Sequence, residues 1–482
     1  MCKGHAKGEV GHVVLSTLAN GARNVASGVY ATGEDLFSQP TIRLGVTGLS
    51  RAGKTVFITS LVANLLNRGR MPHLLAQSEG RVEAAYLQPQ PDDTIPRFDY
   101  EAHLGALMGT PPSWPSSTRS VSELRLSLKV RPNGLLAGWQ NARTLHLDIV
   151  DYPGEWLLDL GLLDVDFAAW SRQTLARLKA REEARDFQAH LAQTDAMAPL
   201  DEVAAKSLAQ SFTAYLTDAR ANGYSDCTPG RFLLPGDLEG SPALTFAPLP
   251  EADYPRRSLG REMARRFEAY KARVVKPFFR DHFSRIDRQI VLVDALGAIH
   301  SGPRAVEDMR GAMRDILSAF RPGRNDFLSQ LFLGRRVDRI LFAATKADHL
   351  HHEQHGKLGA IMEALVRDAS DKAKFSGAMT QALSIASLRA TTEETIQHEG
   401  ADLGAVRGTL LDTGKHAAFY PGALPQDPMK LLGPAKEGAE AWLDGDYQVM
   451  RFAPSEMSLK PGDGPPHIRL DRAIEFLIGD RL

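Results

Sequence analysis

Apolar positions along this chain follow two rhythms that take turns. Thr41-Ile42-Arg43-Leu44-Gly45-Val46 reads as a strand, and Val56 to Asn67 as a helix whose apolar face carries Phe57, Leu61, Leu65 and Leu66. Leu124, Leu126, Leu128 and Val130 alternate with Arg125, Ser127 and Lys129, the period-two mark of a half-buried strand. Pro132-Asn133-Gly134 supplies turn chemistry, and a return strand from Thr144 to Val150 sets Leu145, Leu147 and Ile149 on one face. The unbroken run from Gln289 to Val293, ending in Asp294, predicts a fully buried parallel strand. Further strands are predicted over Arg339–Ala344 and near Leu383-Ser384-Ile385.

Strands interleaved with helices in this way predict an α/β fold, an open and mostly parallel sheet with one antiparallel hairpin strand. Residues 41–155 supply the first part of this core, and residues 286–482 the second part with C-terminal elements. Between them, residues 156–285 change character and predict a mainly helical insertion, broken near Pro199 and across the Pro- and Gly-rich stretch 226–255. Residues 1–40 read as a helical extension in which Val14, Leu18, Val25 and Val29 share a face. The proline-punctuated stretch 70–120 predicts a loop-rich segment too long for an ordinary connection.

Bulk composition narrows the chemistry. The chain has 482 residues, and its 57 basic and 58 acidic residues cancel, so no overall field draws it to nucleic acid. Even the basic run Arg256-Arg257, Arg261, Arg265-Arg266 is interleaved with Glu262 and Glu268, the pattern of a salt-bridged helix face. Its only cysteines are Cys2 and Cys227, which argues against a disulfide framework and fits a reducing compartment. No apolar run approaches the roughly 20 residues needed to span a bilayer. A cytoplasmic protein without a transmembrane segment is expected.

Gly48-Leu49-Ser50-Arg51-Ala52-Gly53-Lys54-Thr55 stands between the first strand and the first helix. That spacing is the phosphate-binding loop: glycines let the backbone wrap a phosphate with its N–H groups inward, and the lysine reaches the outer phosphates. The predicted contacts are Gly48, Ser50, Arg51, Ala52, Gly53, Lys54, Thr55 and Val56, with the Thr55 hydroxyl on Mg²⁺. The helix N-terminus adds its own partial positive charge.

Two more elements follow in order. Asp151-Tyr152-Pro153-Gly154 ends the return strand, where Asp151 can hold Mg²⁺ and the Gly154 amide can meet a γ-phosphate. Thr345-Lys346-Ala347-Asp348 follows an apolar strand and resembles the element by which GTPases read guanine. The Asp348 carboxylate would accept from the guanine N1–H and exocyclic amine, a donor pair that adenine lacks. Ser387 is the candidate for a further base contact after the next strand, and Thr118 for the switch hydroxyl on the metal.

Glu155 stands where many small GTPases carry a glutamine that orients water. Its charge opposes the phosphate, which predicts slow hydrolysis or outside help. Arg51 is the candidate for a built-in arginine finger. The histidines His349, His351, His352 and His355 crowd a helix start without completing a metalloprotease motif, since Gly356 follows His355; they are read as a polar helix surface.

Taken together, Gly-Leu-Ser-Arg-Ala-Gly-Lys-Thr, Asp-Tyr-Pro-Gly-Glu-Trp, Phe-Ser-Arg-Ile-Asp-Arg-Gln-Ile-Val-Leu-Val-Asp and Thr-Lys-Ala-Asp-His resemble the bacterial YcjX-like family, also called DUF463, from about Thr41 onward. The resemblance implies a Ras-like P-loop NTPase core with inserted helices, a cytoplasmic location and an association with stress. It also implies an inner-membrane protein as companion, and so a peripheral position at that membrane. The expectation is a GTP/GDP-binding protein with slow Mg²⁺-dependent GTP hydrolysis that acts as a nucleotide-dependent switch. An ATPase, in which Thr345–Asp348 is incidental, and a GTP- or GDP-binding scaffold without turnover remain open.

Overall fold

The computed structural model describes residues 39–49, 51–116, 120–133, 141–179, 181–318, 337–375, 377–398, 400–439, 447–457 and 459–482. Positions 1–38 of the anticipated extension at residues 1–40, and the candidate residues Ser50 and Thr118, lie outside them.

A seven-stranded sheet organises the chain, in the order β2-β3-β4-β1-β5-β6-β7. Its strands are β1 (Thr41–Gly48), β2 (Val82–Gln88), β3 (Ser122–Val130), β4 (Arg143–Asp151), β5 (Arg288–Val293), β6 (Arg339–Ala344) and β7 (Met379–Ser384). Strands β4, β1, β5, β6 and β7 pair in parallel, and β3 runs antiparallel to its neighbours β2 and β4. The fold class is the expected one. Every residue of β5 is buried, Arg288 and Gln289 along with the apolar run Ile290–Val293, as befits a central parallel strand.

The hairpin departs from the half-buried expectation. Burial reaches both faces of β3, because β2 covers its outer edge and the polar side chains satisfy one another. Arg125 and Asp148 are cross-strand partners and share two hydrogen bonds, at 2.6 and 2.8 Å. Ser127 lies opposite His146 and meets its Nδ1 at 2.8 Å, while Arg43 pairs with the buried Glu123 at 3.2 Å. Strand β2 and a helix at Tyr100–Leu107 also correct the loop-rich reading of residues 70–120. The helix is capped by Asp99, whose carboxylate accepts from the Ala102 N–H at 3.2 Å.

Helix α1 (Lys54–Asn67) packs Phe57, Leu61 and Leu65 on one face of the sheet, together with the C-terminal α-helix at Leu470–Ile478. The opposite face, with Val291, Val293, Ile340 and Phe342, is continuous with the core of the insertion. Three principal helices form that insertion: α2 (Phe167–Leu178), α3 (Glu202–Ala221) and α4 (Leu259–Tyr270). Each starts on a side-chain cap, from Asp166, Asp201 and Ser258 respectively. Trp170 stacks on Phe267 at 4.9 Å and meets Phe212 and Phe246 edge-on, which ties the three helices together. The anticipated ion pairs of the basic run are present, with Arg265 and Arg266 both on Glu262.

A second, three-stranded antiparallel sheet follows, of β8 (Thr392–His398), β9 (Ala401–Thr409) and β10 (His416–Phe419). It changes the reading of the histidines. Gly404 of β9 lies so close to His351 that a side-chain carbon there would sit 2.6 Å from the ring. His351 is thus buried against the small sheet and His355 is buried with its Nε2 3.1 Å from the Leu350 carbonyl, so of the anticipated polar surface His352 is the exposed part. Among the described residues, no helix is long and apolar enough to cross a membrane.

Candidate nucleotide-binding site

Parallel pairing brings the carboxyl ends of β4, β1, β5, β6 and β7 to one edge, where open α/β sheets bind their ligands. Register sets the order along that edge. Asp151 pairs with Val46, Gly48 with Leu292, Val293 with Ala344, and Ala344 with Ser384. Asp151, the phosphate loop, Asp294, Thr345 and the segment after β7 therefore stand side by side.

Arg51 and Gly53 adopt left-handed conformations, at φ 63° and 79°. Among the described residues, and apart from its two chain neighbours, no atom lies within 4 Å of where a Gly53 side chain would point. Gly48, by contrast, is crowded: a side-chain carbon would lie 2.9 Å from both the Leu292 Cβ and its carbonyl oxygen. Helix α1 begins directly at Lys54 with no side-chain cap and no acid in its first turn. Such an N-terminus suits an anion. Thr55, on the first turn, and Asp151, ending β4, are both buried and offer a hydroxyl and a carboxylate, hard oxygen donors of the kind Mg²⁺ prefers.

Beyond Asp151 the chain turns sharply against the loop. A side-chain carbon on Gly154 would lie 2.2 Å from the Gly48 carbonyl oxygen, so only glycine lets these two backbones touch. Tyr152 and Trp156 point the other way. Tyr152 is fully enclosed, donates to Gln289 Oε1 at 2.5 Å and meets Phe283 edge-on, and Trp156 meets Phe278 edge-on at 5.5 Å.

Glu155 is buried against the insertion. Arg220, in the last turn of α3, reaches its carboxylate at 2.7 Å. Arg51 faces the same helix end and donates to the Ala221 carbonyl at 3.5 Å. Next to them, a side-chain carbon on Gly230 would lie 2.2 Å from the Glu155 carbonyl oxygen. Asp159 accepts from the Gly230 N–H at 2.7 Å and from the Tyr270 hydroxyl at 2.5 Å. Burial pushes its carboxyl up to about 6, against the pull of those hydrogen bonds.

At the other end of the edge, Lys346 adopts a left-handed conformation, and its ammonium bonds the Asp294 carboxylate. Asp294 in turn caps the helix Ala295–Ser301 by accepting from the Gly297 N–H at 3.0 Å. Asp348 is buried and accepts from the Ala390 N–H at 2.9 Å, while the Thr391 hydroxyl donates to its carbonyl. Ser387, also buried, belongs to the same segment, whose start is tied to the Thr345–Asp348 loop by Ala347 N–H donating to Ile385 O at 3.0 Å. The fold thus brings Lys346, Asp348 and Ser387 to one place. His349 meets Phe452 edge-on at 5.1 Å, and burial holds its imidazole below the ordinary value although Asp348 pulls the other way.

Sequence reasoning missed Asp294, Ala390 and Arg220. Asp294 had a signal, as an acid ending a buried strand next to the base-reading loop. Ala390 acts through its backbone, and Arg220 is an ordinary residue of a polar helix end.

A phosphate loop, an Asp-x-x-Gly turn and a Thr-Lys-x-Asp loop, in that order along one sheet edge, define a GTPase-like P-loop protein. Comparison with known proteins agrees. The sequence model of the YcjX-like family, DUF463, matches residues 42–482. The chain is 41% identical over 457 residues to the Ras-like GTPase YcjX of Escherichia coli (strain K12), covering 92% of this chain and 96% of that protein. It is 37% identical over 470 residues to the Ras-like GTPase YcjX of Shewanella oneidensis, covering 92% and 94% respectively. The chain belongs to the YcjX-like family, and its core is a Ras-like P-loop fold.

Proposed function

We propose that this protein binds GTP and GDP with Mg²⁺, hydrolyses GTP slowly and acts as a nucleotide-dependent switch. The observation that carries the reading is the contact of Gly154 with Gly48, on the same sheet edge that carries a buried Asp348 after β6. Lys54 and the inward amides of residues 48–56 would hold the phosphates. Thr55 and Asp151, with Thr118, would hold Mg²⁺, which neutralises phosphate charge when bound. Gly154 would bind the γ-phosphate through its amide. Asp348 would accept from guanine, Lys346 would lay its stem over the base, and Ser387 would flank it.

Hydrolysis needs a positioned water and charge stabilisation. Glu155, engaged by Arg220, is poorly placed to orient water at rest, which supports a slow intrinsic rate. The same pairing favours a second reading, a GTP/GDP-binding scaffold without turnover. Because Tyr152, Glu155 and Trp156 all contact the insertion or the strand beside it, movement of Gly154 would be felt there. On the family resemblance we also propose a cytoplasmic role in bacterial stress, with a protein partner at the inner membrane.

Calorimetry with GTP, GDP and ATP, alongside phosphate release, tests the reading. GTP and GDP should bind and ATP should not, and Lys54→Ala should weaken every triphosphate. Tight ATP binding without GTP binding would end the guanine assignment. GTP binding without phosphate release, even with cell membranes added, would leave the scaffold.

A further inference from the structure

We propose that Arg220 is a catalytic residue, an arginine finger supplied in cis by the helical insertion, which leaves Glu155 to stabilise charge on the γ-phosphate during hydrolysis. This rests on the GTP-hydrolysing reading above.

The last turn of α3 meets the nucleotide loops at two points. Arg51 of the phosphate loop donates to the Ala221 carbonyl at 3.5 Å, and Arg220 reaches Glu155 at 2.7 Å. Glu155 directly follows Gly154, whose backbone is pressed on the Gly48 carbonyl. The Arg220 guanidinium is therefore one ion pair away from the residue next to the γ-phosphate position. Its side chain is 28% exposed, against 6% for Glu155. Arg51 donates to the end of α3, where a cation complements the helix dipole, and Arg231 stacks over the Trp156 ring.

Charge decides the direction of the exchange. A γ-phosphate offers more negative charge and more acceptor oxygens than one carboxylate, and a planar guanidinium can serve two of them at once. In the reaction the water oxygen bonds to the γ-phosphorus, and the bond from that phosphorus to the β–γ bridging oxygen breaks. The bond's electron pair stays on the β-phosphate, and the water proton ends on the released phosphate. Arg220 stays protonated throughout and donates N–H groups to the bridging and γ-oxygens as charge builds on them.

The test uses the full chain with Arg220→Ala and Arg220→Lys, read by single-turnover phosphate release, by GTP affinity and by aluminium-fluoride-dependent tightening of GDP. Fingers of this kind contribute about 10³- to 10⁵-fold to turnover. Arg220→Ala is expected to slow hydrolysis at least about a hundredfold with GTP affinity within about threefold, and to abolish the aluminium-fluoride effect. Arg220→Lys, which keeps the cation and most of the packing, should retain part of the rate. It decides the matter alone, by a rate below wild type at unchanged affinity, if the alanine variant does not fold. The proposal is overturned if Arg220→Ala hydrolyses GTP at the wild-type rate, or loses rate and affinity in parallel. Wild-type protein that binds GTP but never cleaves it overturns it too. A wild type that binds no guanine nucleotide refutes the underlying function instead, a distinct result.

Discussion

Gly154 presses its backbone against Gly48, leaving only 2.2 Å between the Gly48 carbonyl oxygen and any side-chain carbon at position 154. The first glycine of the phosphate loop and the glycine of the Asp-x-x-Gly turn are thereby in contact, although 106 positions separate them in the sequence. Even a methyl group must push one backbone off the other. Gly154→Ala should therefore weaken GTP binding at least about tenfold and lower stability by about 1–3 kcal/mol, an overpacking cost. Calorimetry and urea denaturation measure both, and unchanged GTP affinity would show that the contact does not matter to the nucleotide.

Asp348 spends one carboxylate oxygen on the Ala390 N–H. Asp348→Asn can keep that bond through its amide oxygen while replacing the acceptor proposed to face guanine with a donor. GTP affinity should fall by at least about a hundredfold, and xanthosine triphosphate, which carries an acceptor where guanine has its amine, should gain relative to GTP. Competition binding with both nucleotides reads the exchange; equal losses for the two would reject base recognition by this residue.

The Arg125–Asp148 pair is buried on both sides, with side chains 9% and 2% exposed. Removing the arginine alone strands a carboxylate inside the sheet. Arg125→Met should cost about 3–5 kcal/mol, and Arg125→Met with Asp148→Leu should recover most of that loss. Denaturant midpoints of the single and double variants check it, and a single variant as stable as wild type would refute the pairing.

Asp159 has a carboxyl raised by burial to about 6, above its ordinary 3.8. The folded state holds this proton more tightly than the unfolded chain. The stability it contributes is therefore full below pH 3.8 and is lost as pH rises through about 6. Relative to Asp159→Asn, wild type should lose about 2–3 kcal/mol between pH 4 and 6 and change little above pH 7. Parallel stability profiles for the two proteins would sink the assignment.

The parts legible in advance were those whose signal is local. The apolar run Ile290–Val293 points to a central strand, and the glycine and lysine spacing of residues 48–55 states its backbone requirement outright. Strand β2 was hidden because Glu83 and Gln88 interrupt its apolar pattern and prolines follow it. Strand β8, Thr-Glu-Glu-Thr-Ile-Gln-His, is too polar to announce itself, and so the burial of His351 under its sheet could not be foreseen.

By itself the amino-acid order determined the α/β class, the phosphate loop, and the residues that end β4 and β6, because strand period and glycine torsions act over a few neighbouring positions. Only tertiary structure decided that Glu155 meets Arg220 and that Lys346 meets Asp294. An ion pair depends on where two distant backbones are carried by packing. The sequence holds both charges, but nothing along it tells one arginine of a polar helix from the next.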